Sequence, residues 1–177
     1  MLRRWKTHLL LATATMIVMG AKCFSITDPL VVTLNVKDIK QTYNITAGAV
    51  NFNNPPNCVT KTASDYIDSK YEVQGARFVD ATLQTVGAYT GNIVSGAVTV
   101  NGTTVVTYSG PWTSFNTPQS ILTSSLLVRN PAGVSVLLNA IQNKGSITLC
   151  DGGQFSSAAP SGLSVLTAIY AQVDVTP

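Results

Sequence analysis

The sequence predicts an all-β, mainly antiparallel fold: a two-sheet β-sandwich of about seven to nine strands with one short helix at 131–144. Three observations carry this. Runs rich in Val, Ile and Thr, many alternating with polar residues, recur along the chain and are punctuated by Gly, Pro and Asn. Asn101-Gly102 stands between two such runs, the strongest short hairpin signal. Charged residues make up 11% against 45% hydrophobic, which is too apolar and too weakly charged for a disordered chain.

The first segment reads as a secretory signal peptide, residues 1–23, followed by a single domain at 24–177. Arg3, Arg4 and Lys6 precede an apolar run from Leu9 to Gly20 that is too short to span a bilayer. Small residues place cleavage after Gly20 or after Cys23. A lipid on Cys23 is the alternative, and it would be the only membrane attachment expected; Lys22 stands where a lipobox wants a small residue. Residues 1–23 hold four of the 11 basic residues and none of the eight acidic ones, so 24–177 carries a net charge of −1. This balance argues against a nucleic-acid partner.

Along 24–177, residues 30–36 and 41–46 read as an early antiparallel pair, and 47–63 as a long loop. Ser64–Val73 is briefly helical, with Ile67 and Tyr71 at i, i+4, although Tyr71-Glu72-Val73 equally opens a strand. Residues 77–86 alternate, with Val79, Ala81 and Leu83 on one face. The hairpin joins 92–100 to 103–108, and Ser109-Gly110-Pro111-Trp112 breaks the pattern. Residues 121–128 form another strand. Asn130 caps a helix that begins at Pro131, with an apolar stripe of Val134, Leu137, Leu138 and Ile141, and that ends at Gly145. A strand at 146–150, a turn at Asp151-Gly152-Gly153 and a long final strand at 163–175 complete the chain.

His8 is the only histidine and falls within 1–23, so the remainder offers no histidine base and no histidine metal ligand. No catalytic residues, cofactor or resident metal are expected. Asp65, Asp68 and Glu72 would share a helical face, a weak cation site at most and more simply a solvated face. Cys58 and Cys150 are the only cysteines after residue 23, and in an oxidising compartment they pair as a disulfide.

The expected function is that of an exported, non-enzymatic binding or structural module in the periplasm, at the cell surface or secreted. It would bind a protein partner or self-associate by strand pairing. Trp112, Phe115 and Tyr108 are the candidate ligand-binding residues, either as loop aromatics that stack on a glycan or as a hydrophobic plug closing one end of the sandwich. Tyr43 and Tyr89 would extend an aromatic surface if they pointed outward. A carbohydrate-binding module is thus one alternative. The other is a small-ligand or lipid carrier with its cavity under the helix.

Overall fold

The structure is a computed structural model that describes residues 31–52 and 58–177. The expected signal peptide, Cys23 and residues 53–57 lie outside the described residues. Nine strands occur among the described residues: β1 Val32–Asn44, β2 Cys58–Thr62, β3 Glu72–Val86, β4 Asn92–Val100, β5 Thr103–Pro111, β6 Gln119–Ser120, β7 Leu127–Arg129, β8 Ser146–Phe155 and β9 Ser164–Thr176. One helix, α1 Pro131–Gln142, lies between β7 and β8.

Every strand pairing among these residues is antiparallel. Sheet A has the order β1-β9-β3-β6 and sheet B the order β2-β8-β4-β5-β7. The two inner faces meet in one core, as the predicted sandwich requires. Alternation is clearest in β9, where Val165, Ile169, Ala171, Val173 and Val175 are buried. This strand lies between β1 and β3, so one run of alternating residues organises sheet A.

The hairpin forms as predicted. Asn101 and Gly102 both adopt positive φ (49° and 79°), the geometry that a two-residue type I′ turn demands. The Asn101 side chain also binds strand β8, accepting from Thr148 N–H at 2.8 Å and donating to Ser146 C=O at 3.0 Å. The helix starts as predicted too, with Asn130 Oδ1 accepting from Ala132 N–H at 3.0 Å and Pro131 in the first turn. It packs on β5 at Gly133, where a Cβ would collide with the Thr104 carbonyl oxygen.

Several elements differ from expectation. The runs expected at 30–36 and 41–46 form no pair with each other among the described residues: Val32–Asn44 is one strand, β1, laid along β9, with 37–38 accommodated in a register shift between Val36 and Ile39. The expected loop at 47–63 ends in a strand, because Cys58–Thr62 pairs along β8. The helix at 64–73 shrinks to a single 3₁₀ turn, Ala63–Asp65. The reason is that Glu72 and Val73 already belong to the long ladder with β9, which outweighs one i, i+4 pair. Val79 leaves the face it should share with Ala81 and Leu83, since a bulge between Phe78 and Asp80 inserts it as the extra residue. Strand β5 runs on to Pro111 rather than breaking at Ser109.

The strand expected at 121–128 is mostly absent: residues 121–126 turn and cross from β6 on sheet A to β7 on sheet B, and only Leu127 and Val128 of that span are strand. Helix α1 stops at Gln142, and Lys144, not Gly145, takes the left-handed conformation (φ 49°). The Lys144 ammonium ties this end down by donating to Tyr71 C=O at 2.5 Å and Ser69 C=O at 3.2 Å. Finally, Asp151-Gly152-Gly153 is no turn. It continues strand β8, with Gly153 opposite Gly96 and Gly152 opposite Ala97 of β4.

Candidate functional site

A groove of about 710 Å³ lies on the outer face of sheet B. Its floor follows from register. Ala97 of β4 stands beside Gly152 of β8 on one side and Thr107 of β5 on the other, and Thr107 stands beside Val128 of β7. Small side chains in a row across a twisted sheet leave a trough. Larger groups wall it: the Cys58–Cys150 disulfide with Thr99, and across from them Val94, Ser109 and Leu126. Val94 and Val128 are 53% and 60% exposed, large values for apolar side chains.

The predicted disulfide is present, joining residues directly opposite one another on β2 and β8. Such a bond is compatible with an oxidising, extracytoplasmic setting. It also holds the short edge strand β2 against sheet B beside the groove.

The groove is lined by hydroxyl, small and apolar side chains. Tyr108 and Asp151 border it, but their polar ends point into the core. Tyr108 starts on β5, passes under β4 and reaches Asp151 on β8. Gly96 makes the crossing possible, because a Cβ there would overlap the Tyr108 ring. The Tyr108 hydroxyl donates to Asp151 Oδ1 at 2.5 Å, and the Thr167 hydroxyl of β9 donates to Oδ2 at 2.6 Å. One carboxylate thus links both sheets. Burial pushes the Asp151 carboxyl up to about 6, against the two hydroxyl hydrogen bonds that pull it down. Burial also raises the Tyr108 phenol well above its ordinary value, and the neighbouring Asp151 charge adds to this.

Trp112, Phe115 and Tyr108 form no exposed platform: all three are buried. Trp112 donates from Nε1 to Gly87 C=O at 2.9 Å, and its ring meets Tyr89 and Phe155 edge-on. Phe115 meets the Tyr108 ring at 6.1 Å. Phe52 continues the cluster between Phe155 and Tyr43. These rings fill the end of the sandwich away from the Asn101–Gly102 hairpin, in the manner of the plug. A ring without an accessible face has nothing to offer a sugar.

Asp65, Asp68 and Glu72 are not brought together on a helix. Asp65 accepts from Thr62 N–H at 3.0 Å, Asp68 pairs with Lys70 at 3.6 Å, and Glu72 opens β3. Among the described residues no group of three His, Cys, Asp or Glu is placed to hold a metal ion. Sequence reading missed Asp151 because Asp-Gly-Gly is a turn signal. Only the pairing of β8 with β4 keeps this segment extended, with Gly153 giving clearance to the Phe52 ring.

Comparison of the chain with protein-family models, with curated proteins and with solved structures returns no match. The class is defined by the fold alone: a two-sheet antiparallel β-sandwich with an outward, weakly polar groove beside a disulfide.

Proposed function

We propose that the chain is an exported, non-enzymatic binding module that engages a protein partner through the groove on the outer face of sheet B. The observation that carries this reading is the groove itself: about 710 Å³, floored by Ala97, Gly152 and Thr107 and edged by the exposed apolar Val94 and Val128. Exposed apolar side chains around a hydroxyl-rich trough suit an uncharged apolar projection of a partner, desolvated at the centre and hydrogen-bonded at the rim. The disulfide and the export-type N-terminus support a setting outside the cytosol. The carrier alternative gains no support from the helix, whose Leu137 and Ile141 are fully buried in the core.

The test uses a photo-crosslinking residue in place of Val128 in producing cells. The captured protein is then purified and its affinity measured for the wild type and for Ala97→Arg, which fills the trough. A loss of at least about tenfold, or 1.4 kcal/mol, is expected. Equal affinities for the two proteins would remove the groove from the interface.

A further inference from the structure

We propose that the outer face of sheet A carries a second binding site, centred on Tyr170 and built for a neutral carbohydrate. Tyr170 lies on the central strand β9 between the buried Ile169 and Ala171, so its side chain points away from the core. Both neighbouring strands are irregular at this one level. In β1 the pairing steps from Val36↔Ala171 to Ile39↔Ile169, leaving residues 37–38 opposite Tyr170. In β3 it steps from Phe78↔Ala171 to Asp80↔Tyr170, leaving Val79 as the extra residue. A bulge re-aims side chains and opens a ladder locally, and bulges gather beside functional sites. Here two of them flank one tyrosine, and the result is a cavity of about 350 Å³.

The chemistry of the cavity is mixed. Asp80 is held in place by Ser120 Oγ, which donates to its two carboxylate oxygens at 2.9 and 2.8 Å, and by Ala81 N–H at 2.8 Å. A carboxylate takes about four donors, so it keeps room for a ligand hydroxyl. Asn35 accepts from Gln172 through Oδ1 at 2.9 Å, which leaves its NH₂ to donate. The hydroxyls of Thr82 and Tyr170 make no hydrogen bond among the described residues, and the Tyr170 ring is only partly buried. The cavity therefore offers an anionic acceptor, an amide donor, two hydroxyls that do either, and a ring. A sugar presents the complement: hydroxyls that donate and accept, and a C–H face that packs on a ring. An ammonium ligand only donates and would leave the Asn35 NH₂, also only a donor, without an acceptor. An anion would face Asp80.

This site shares no lining residue with the groove of sheet B, so the two are tested separately. The full chain is applied to an array of neutral hexose and N-acetylhexosamine oligosaccharides. The best-bound glycan is then titrated into wild type, Tyr170→Ala, Thr82→Val and Ala97→Arg. Binding is expected to weaken at least tenfold in Tyr170→Ala and measurably in Thr82→Val, and to be unchanged in Ala97→Arg. Ring-proton NMR shifts of Tyr170 on saturating the wild type give a readout that needs no variant to fold. The proposal is overturned if no neutral glycan binds at millimolar concentration or if Tyr170→Ala binds as well as wild type. It is equally overturned if Ala97→Arg alone abolishes binding, or if ethylammonium, used as a donating ammonium probe, binds in the glycan's place.

Discussion

The two outer faces of the sandwich obey the same alternation and carry opposite chemistry. On sheet A, outward positions hold long polar side chains that bond across strands: Arg77 Nε donates to Gln172 at 2.7 Å, and Thr33 Oγ1 to Asp174 at 2.6 Å. On sheet B the matching positions are Gly152, Ala97 and Thr107, which bury little and leave a trough. A polar ladder saturates its own hydrogen bonds and offers a ligand little, except where the bulges around Tyr170 interrupt it. A row of small residues makes no side-chain bonds across strands and leaves a trough and its apolar rim open to another molecule. Binding capacity on a β surface thus follows from where the regular pattern of large polar side chains stops.

The contrast is most sharply broken at the disulfide. Cys58 and Cys150 are 92 residues apart in sequence, so replacing both with Ser should cost about 4.6 kcal/mol in the chain-entropy view. Urea unfolding should show this as a lower midpoint, and β2 should be the first strand to lose amide protection. Equal midpoints for variant and wild type would mean that strand pairing alone holds β2.

A second measurement probes the link between the sheets. The folded state raises the Asp151 carboxyl from its ordinary 3.8 to about 6, so the folded chain binds this proton more tightly than the unfolded one. Stability from this group is fully present below pH 3.8 and is lost as the pH rises through about 6. The loss is at most about 3 kcal/mol, since each tenfold difference in proton affinity is worth about 1.4 kcal/mol. Unfolding free energy in urea should fall across that window, and Asp151→Asn should flatten the slope there.

Gly96→Ala sharpens the comparison from beneath the trough. Its Cβ would overlap the Tyr108 ring, displacing the hydroxyl from Asp151, and a loss of about 2 kcal/mol is expected. Near-UV circular dichroism should report the moved tyrosine. The smallest effect belongs to sheet A. Arg77 pairs with Asp174 at 3.5 Å, but its side chain is 57% exposed, so Arg77→Ala should change stability by less than about 1 kcal/mol, and less again at high salt. A larger, salt-independent loss in thermal unfolding would make that ladder a structural element rather than a surface feature.

Much of the architecture is readable in short stretches of chain. Asn101-Gly102 names its own turn, because few residues other than Gly, Asn and Asp tolerate two consecutive positive φ angles. Asn130-Pro131 names its own helix start, since the cap and the fixed proline φ act within one turn. The alternation of β9 announces a strand with one buried face. Reading fails where a local signal competes with distant pairing. The Ser64–Val73 pattern yields to β9, and Asp151-Gly152-Gly153 yields to β4. The aromatic loop at Trp112 reads equally well as platform or plug, because nothing in its neighbourhood of sequence says that Tyr89 and Phe155 will meet it.

Local pattern and counting alone were enough for the fold class, the hairpin, the helix start, the long final strand and the cysteine pair. Each depends on backbone preferences within a few residues or on there being two cysteines to join. Tertiary structure decided which glycines are turns and which are clearance, that Asp151 lies between the sheets, and that two bulges meet at Tyr170. Those outcomes depend on strand register. A shift of one residue turns every side chain to the opposite face, and register is set by partners as far apart in sequence as Thr33 and Asp174, 141 residues.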